Sequence, residues 1–201
     1  MSRLEPDAEL VARHCRGDRD AFAILVERHQ TRVYNLALRM MGNPQDAADA
    51  AQDAFIHALR KLSGFRGDSA FTTWMHRVTM NACYDILRKR RSQPMLHLVS
   101  EDPDAPIHEP GPPGPDHAEE VSSSLDAQAA LREIPEEFRA VLVLADVHDL
   151  PFQEIAQILD IPVGTVKSRA HRGRLALARA MGVERPEREP QEDAGTSKDA
   201  P

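Results

Sequence analysis

Cysteine, aromatic side chains and long apolar runs are all scarce in this sequence. Aromatic residues make up 4 % of the 201 positions, and the two cysteines, Cys15 and Cys83, are too few for a disulfide framework or a zinc cluster. No apolar run approaches the roughly 18 residues of a membrane-spanning helix. The opening residues also lack the apolar segment of a secretory signal. We therefore expect a cytoplasmic protein that binds no metal and no cofactor.

Sequence signatures of common enzymes are missing as well. The chain contains no phosphate-binding GxxxxGK[ST] loop, no GxGxxG, no HExxH and no GxSxG. Because these motifs carry nucleotide, metal and acyl-transfer chemistry, their absence predicts that the protein has no catalytic activity of its own.

Charge is unevenly distributed along the chain, although the formal net charge is −7. Residues 1–95 hold 15 basic and 11 acidic side chains, whereas residues 96–128 hold eight acidic and no basic ones. Residues 163–180 hold five basic side chains and no acidic one. An approaching phosphate senses charge within a Debye length of about 8–10 Å. The local charge therefore favours a nucleic-acid partner.

Composition also divides the chain into two domains. Seven of the 15 prolines lie in residues 94–115, which predicts a flexible, acidic linker over 96–125. The linker separates an N-terminal domain (1–95) from a C-terminal domain (126–184), and the tail 185–201 is predicted to be disordered. Three linker histidines are spaced too widely for a tight metal site, so we prefer a solvated linker. They are His97, His108 and His117.

The N-terminal domain is predicted to be all-helical. Gly42-Asn43-Pro44 ends one helix and caps the next, which then runs to about Leu62. Its predicted apolar face contains Ala48, Ala51, Phe55, Ala58, Leu59 and Leu62, and its opposite face contains Asp46, Asp49, Gln52 and Asp53. A later helix, to about Arg91, is predicted to bury Phe71, Met75, Val78, Ala82 and Ile86. That helix exposes Arg77, Asn81, Tyr84, Arg88 and Arg91.

The C-terminal domain ends in a helix-turn-helix pattern. A short helix from about Phe152 to Leu159 is followed by a three-residue corner and a second helix from about Val163. This second helix exposes small polar and basic groups that suit the major groove or phosphates, namely Thr165, Lys167, Ser168, His171, Arg172 and Arg174. The alternative is a solvated amphipathic helix that closes a small bundle.

Three stretches in this order resemble the extracytoplasmic-function (ECF) branch of the sigma-70 family. DAADAAQDAF (46–55) resembles the family's polymerase-clamp helix, FRGDSAFTTWMHRVTMNACYDILRKRR (65–91) its −10 recognition segment, and the stretch from Phe152 to Arg174, with PVGTVKSR, its −35 helix-turn-helix. The segment WMHRVTMNAC is similar to the corresponding segment in actinobacterial members of the SigM type. The resemblance implies sigma-70 region 2 in residues 1–95 and region 4 in residues 126–184.

The resemblance also implies partners and roles for particular residues. Core RNA polymerase (the β′ clamp and the β flap), promoter DNA and an anti-sigma factor are the expected partners, with no membrane insertion. By position, the clamp-binding residues are Asp49, Gln52 and Asp53. The −10 residues are Phe65, Arg66, Arg77, Asn81, Tyr84 and Arg88. The −35 residues are Thr165, Lys167, Ser168, His171, Arg172 and Arg174.

Two other readings of the function stay open at this point. A plain helix-turn-helix regulator would need neither the acidic stripe nor the Asn81 face, and an interaction protein would use its basic helix on an acidic partner. Val141, Leu142, Leu144 and Val147 fit either a core or a flap-binding groove.

The promoter elements lie roughly 70 Å apart, at about 35 Å per DNA turn. The linker spans this distance only when it is drawn out.

Overall fold

The structure is all-helical in the residues that it describes, which confirms the predicted fold class. A computed structural model of the chain describes residues 5–65, 67, 69–92 and 127–182, and these residues contain no strand. The predicted linker and tail lie outside the described residues. We call residues 5–92 the N-terminal unit and residues 127–182 the C-terminal unit.

The N-terminal unit consists of four α-helices around an apolar core. They are α1 (Asp7–Cys15), α2 (Arg19–Met41), α3 (Pro44–Lys61), which a 3-10 turn follows (Leu62–Gly64), and α4 (Phe71–Ser92). Gly42 ends α2 in the left-handed region with φ 79°. The Asn43 side chain caps α3 by accepting the Asp46 N–H at 2.9 Å. The predicted break between the two helices is therefore correct.

The C-terminal unit contains the predicted helix-turn-helix. Its helices are α5 (127–133), α6 (Glu136–Leu142), a π turn (Val143–Val147), α7 (Phe152–Leu159) and α8 (Val163–Ala180). Asp160 closes α7 in the left-handed region, with φ 55° and ψ 48°, and so forms the corner before α8. Helix α8 lies close to α6, because a Cβ on Gly173 would come within 3.0 Å of Leu142.

The predicted register of α3 is wrong in part. Ala48 and Leu59 were assigned to the apolar face but are exposed, whereas Ala47 and Ala54 are fully buried. Asp46 was assigned to the polar face but is only 7 % exposed. In a helix this rich in alanine the apolar signal is weak, so packing against the neighbouring helices decides which stripe is buried.

The two units share one apolar core. Met40 and Met80 of the N-terminal unit lie in the same buried cluster as Val143, Leu144 and Ile155 of the C-terminal unit. The sequence indicates two helical domains but not that they are packed together, because the pairing depends on contacts between residues far apart in the chain.

Polar contacts reinforce this junction between the units. The Arg139 guanidinium donates to the Met40 carbonyl at 2.6 Å, and the Thr73 hydroxyl lies 3.1 Å from a Glu154 carboxylate oxygen. The Gln128 amide donates to the Leu38 carbonyl at 3.2 Å. The junction is therefore closed by hydrogen bonds as well as by apolar packing.

Candidate nucleic-acid and polymerase interfaces

Helix α4 presents three faces with different surroundings. One face enters the N-terminal core, as predicted. A second, which the sequence pattern does not reveal, is covered by the C-terminal unit. The third is exposed. The core face contains Phe71, Met75 and Val78. The covered face contains His76, Met80 and Cys83. The exposed face contains Arg77, Asn81 and Arg88.

A groove of about 520 Å³ runs beside the exposed face of α4. Asn81, Tyr84 and Arg88 line it, as the sequence predicts for one helical face, and His57 and Lys61 of α3 line the same groove. Burial raises the pKa of Tyr84 to about 12, so the phenol is neutral at physiological pH. The groove thus combines the Asn81 amide and the neutral phenol with the cations Lys61 and Arg88, and the carboxylates of Asp85 and Glu136 also line it.

Sequence reasoning missed His57 and Lys61 as lining residues. Both lie toward the C-terminal end of α3, on the side that faces α4 across the groove. The i, i+4 spacing of a histidine and a lysine is a signal for a shared helical face, but only the crossing of α3 and α4 shows that this face meets Asn81.

Most cations near the end of α4 are paired with carboxylates. Arg88 bonds to Asp85 at 3.0 Å, Arg90 bonds to Asp46, and Arg91 bonds across the junction to Glu136 at 2.7 Å. The Arg88 side chain still has 76 % of its surface exposed. Exposed pairs of this kind contribute little stability, about 0–1 kcal/mol, and can exchange for phosphate.

Phe65 is a member of an aromatic cluster and does not line the groove. Its ring centroid lies 5.9 Å from that of Phe71 and 5.4 Å from that of Trp74. Both Phe65 and Trp74 are partly buried against the N-terminal core. Trp74 therefore contributes to the N-terminal core. Arg66, a predicted −10 residue, lies outside the described residues.

Helix α8 exposes the predicted −35 residues on one side. Lys167, Ser168, His171 and Arg172 are exposed, while Val166, Ala170 and Gly173 face the interior. Thr165 is half-buried at the start of the helix. The helix thus offers cations and small polar groups along a surface that a major groove can approach.

Two of the −35 residues have partners within the protein. Arg174 makes a two-pronged contact with Asp146, at 2.6 and 3.2 Å, and this contact raises the pKa of Arg174. The Ser168 hydroxyl donates to the Thr165 carbonyl at 3.0 Å. Arg174 must exchange its carboxylate partner before it can bond DNA, whereas Lys167 and Arg172 extend freely from the surface that the structure describes.

The acidic stripe on α3 is accessible and continues into an apolar patch. Asp49 and Gln52 are exposed and Asp53 is half-buried. One turn and two turns further along the helix, Ile56 and Leu59 are 37 % and 46 % exposed. The carboxylates and the exposed aliphatic side chains therefore form one continuous accessible surface of α3.

The four aliphatic residues that fit either a core or a flap-binding groove divide between buried and exposed positions. Val141, Leu142 and Leu144 are fully or nearly fully buried, whereas Val147 is 49 % exposed.

Within the described residues, no group of three or more His, Cys, Asp and Glu side chains could hold a metal ion. None of the described helices is long and apolar enough to cross a membrane.

Comparison with protein families identifies two sigma-70 segments. The model for Sigma-70 region 2 matches residues 25–93 and the model for Sigma-70 region 4 matches residues 124–177. The ECF RNA polymerase sigma factor SigM of Mycobacterium tuberculosis is 38 % identical over 176 residues, which cover 88 % of this chain and 85 % of that protein. The ECF RNA polymerase sigma-E factor of Escherichia coli K12 is 38 % identical over 187 residues, with coverage of 88 % and 95 %.

Solved structures have the same architecture. CnrH, in complex with the cytosolic domain of CnrY, matches with a TM-score of 0.63 and 25 % identity over 90 % of this chain and all of that one. The sigma factor RpoE of Bartonella quintana, in complex with the anti-sigma factor NepR, matches with a TM-score of 0.64 over 82 % of this chain and 98 % of that one. At 23 % identity, this second likeness concerns the fold alone.

The chain belongs to the ECF sigma factors of the sigma-70 family, as its sequence motifs predict. It is a promoter-directing factor that acts with RNA polymerase on DNA, and the comparisons do not favour a plain helix-turn-helix regulator. Members of this family are DNA-binding regulators and are not known as enzymes.

Proposed function

We propose that three separate surfaces divide the work of promoter recognition. The α3 stripe binds core polymerase, the groove beside α4 holds the opened −10 element, and α8 contacts the −35 duplex. Residues 1–95 and 126–184 then act as the two functional units, and 96–125 connects them. The observation that supports this most directly is that the two candidate DNA surfaces lie on different units.

The groove beside α4 has the chemistry that a single strand requires. A base that leaves the stack loses a few kcal/mol of stacking and pairing energy, and a pocket with hydrogen-bonding groups offsets part of this loss. The Asn81 amide can donate to and accept from a base edge. Lys61 and Arg88, which line the same groove, can bond the strand's phosphates. This combination favours an opened strand over a duplex, because pairing in a duplex hides the Watson–Crick edges of the bases.

The α3 stripe has the charge for a basic partner surface. Asp49 and Asp53 are four residues apart and lie on one side of the helix, so their fields add. Charge complementarity accelerates association and selects the partner, while Ile56 and Leu59 provide apolar area at the same surface. We therefore place the polymerase clamp on this side of α3.

We also propose an anti-sigma factor as a regulatory partner and the cytoplasm, where RNA polymerase works, as the site of action. The similar CnrH and RpoE chains were solved in complexes with protein partners, and the partner of RpoE is an anti-sigma factor.

Single substitutions on the two DNA surfaces should separate the two steps of promoter recognition. Asn81→Ala should reduce −10 opening by about tenfold through the loss of hydrogen bonds to an opened base, with −35 binding unchanged. Arg172→Ala should weaken −35 binding by about 1–3 kcal/mol, with opening of bound promoter unchanged. The measurements are run-off transcription with core enzyme, a fluorescent base in the −10 element, and duplex binding.

Matched controls use the same substitutions elsewhere. Asn35→Ala, on exposed α2 surface, and Arg179→Ala, near the end of α8, should behave like the unchanged protein. If Asn81→Ala and Arg172→Ala harmed both steps equally, the division between the surfaces would be wrong. If the unchanged protein bound DNA but gave no promoter-dependent transcript with core enzyme, it would act as a plain regulator instead.

A further inference from the structure

Two histidines meet at the junction between the units. His76 projects from the covered face of α4, and His148 follows the π turn of the C-terminal unit. Their ring centroids are 5.1 Å apart and their planes are inclined by 66°. His76 is 2 % exposed. Among the described residues, neither ring nitrogen of His76 has a hydrogen-bond partner. The Nε2 atom of His148 has none either.

The π turn determines where His148 lies. The His148 N–H donates to the carbonyl of Val143, five residues earlier, at 3.1 Å. The turn is therefore wider than an α-helical one. The Leu150 N–H in turn donates to the carbonyl of Leu144 at 3.0 Å. These two backbone bonds fix the segment that carries His148 against α4.

The groups around His76 do not favour a positive charge there. His29 and Arg32 face it from α2, and His148 faces it from the C-terminal unit. On α7, Glu154 is bonded to Thr73, one turn before His76. Burial, together with His148, Arg32 and His29, lowers the pKa of His76 to about 4. Burial and Arg32 also lower the pKa of His148.

The Asp7 carboxylate of this cluster is already engaged. Asp7 lies 2.9 Å from Nε2 of His29 and also pairs with Arg28. It is therefore placed to compensate charge on His29 and Arg28. A proton added to His76 would instead meet one further imidazole and a guanidinium.

We propose that His76 and His148 form an acid-sensitive contact, which holds the two units together while both imidazoles are neutral and releases them when either one is protonated. Release separates Met80 and Cys83 from Val143, Leu144 and Ile155, because these residues share the junction core. The N-terminal core that contains Leu25 and Met75 remains intact.

The direction of the effect follows from proton binding. Once the units separate, water reaches His76 and its pKa returns toward 6.5, whereas in the closed form it is about 4. Above pH 6.5 both forms hold a neutral ring, so their ratio does not depend on pH. As the pH falls from 6.5 toward 4, only the open form takes up the proton, and the closed form loses relative stability.

Opening has a consequence for promoter recognition that rests on the proposed function. Packed helices have axes about 8–10 Å apart. Since α7 contacts both α4 and α8, the closed form keeps α8 within about two helix spacings of α4, or roughly 20 Å. The two promoter elements are roughly 70 Å apart. The closed form therefore cannot contact both elements at once.

Cys83 provides a direct measure of opening. It is fully buried in the junction core, whereas the other cysteine, Cys15, is exposed. In full-length Cys15→Ser protein, the reaction rate of Cys83 with a pyridyl disulfide is compared with the rate in urea-unfolded chain at the same pH. The ratio removes the intrinsic pH dependence of the thiol and gives a protection factor.

We expect the protection factor to fall about tenfold between pH 7.5 and pH 5.5 from His76 alone, which is the ratio that its two pKa values set. The double variant His76→Phe/His148→Phe should remove this pH dependence, and His148→Gln should reduce it. His14→Phe, on α1 and against Phe22, should leave it unchanged. The helical circular-dichroism signal should be the same at both pH values.

Three results would overturn the proposal: a protection factor that does not change with pH, a pH dependence that persists undiminished in both His148 variants, or loss of helical signal at pH 5.5 in parallel with protection. None of these measurements needs polymerase or promoter DNA. A failure of the histidine contact is therefore distinguishable from a failure of the proposed DNA and polymerase surfaces.

Discussion

Arg139 is a buried cation that bonds to carbonyl groups at the junction. Its guanidinium donates to the carbonyls of Met40 at 2.6 Å, Arg132 at 2.9 Å and Ile134 at 3.1 Å. Met40 lies in the last turn of α2, where carbonyl groups lack helical partners and carry partial negative charge. Burial lowers the pKa of Arg139 from its ordinary value, but an arginine remains charged at any physiological pH. One side chain thus satisfies acceptors from both units.

Replacing Arg139 should destabilise the whole chain. Arg139→Met keeps the apolar stem but leaves buried carbonyls without donors, so the free energy of unfolding should fall by about 1–3 kcal/mol. Arg139→Lys should recover only part of this loss, because an ammonium group lacks the planar fork. Urea denaturation is the measurement.

Arg179→Met, which changes an exposed arginine on α8, is the matched control and should shift stability by less than about 0.5 kcal/mol. A stability of Arg139→Met equal to that of the control would show that the bonded carbonyls are satisfied in another way.

At the scale of helices, local signals predict element bounds well and contacts poorly. The bounds of α7 and the start of α8 agree with prediction, because a strong apolar pattern and the corner that ends at Pro162 act within a few residues. The α3 register fails, because its alanines give little contrast between faces. The covered face of α4, with Met80 and Cys83, could not be predicted, since its partners lie more than 50 residues away.

The same limits apply to the candidate sites. The predicted exposure of Lys167 and Arg172 agrees with the structure because a helix that has one clear apolar face leaves the other side to solvent. The pairing of Arg91 with Glu136 and of Arg174 with Asp146 depends on tertiary contacts. The periodicity of a single helix carries no information about them. The DNA and polymerase roles of these residues stay predictions.

Two glycines on α8 should respond in opposite ways to a larger side chain. Gly173→Val would place carbon atoms against Leu142, which a Cβ alone already approaches to 3.0 Å, and should destabilise the protein by about 1–3 kcal/mol. Gly164→Ala meets no atom within 4 Å and should stabilise by up to about 1 kcal/mol through helix propensity.

Thermal or urea unfolding of both variants checks this pair, and each serves as the control for the other. If Gly173→Val were as stable as the unchanged protein, then α6 and α8 would separate more easily than their close contact implies.

At the scale of the whole molecule, the shared core should make the two units unfold together. Trp74 is the one tryptophan in the sequence and packs in the N-terminal core, away from the junction. Its fluorescence therefore reports on that unit, whereas circular dichroism reports on both. At pH 7.5 the two signals should have the same urea midpoint.

A substitution in the C-terminal unit should then be visible at Trp74. Leu144→Asp places a carboxylate in the junction core and should lower the fluorescence midpoint by roughly 0.5–1 M urea, given typical slopes of about 1–3 kcal/mol/M. Gln153→Asp, which introduces the same carboxylate at an exposed position in the first turn of α7, is the control. A fluorescence midpoint that did not move while the helical signal did would mean that the units unfold independently.

Glu136 turns the closed chain into its own competitor. Its carboxylate belongs to the C-terminal unit, yet it lines the groove beside Asn81 and neutralises Arg91 at the groove's edge. A DNA phosphate that binds the Arg91 guanidinium must displace the Glu136 carboxylate. Because this carboxylate is part of the same chain, its local concentration does not fall on dilution. The affinity measured for a single strand is reduced by the fraction of molecules that stay closed, whatever the protein concentration.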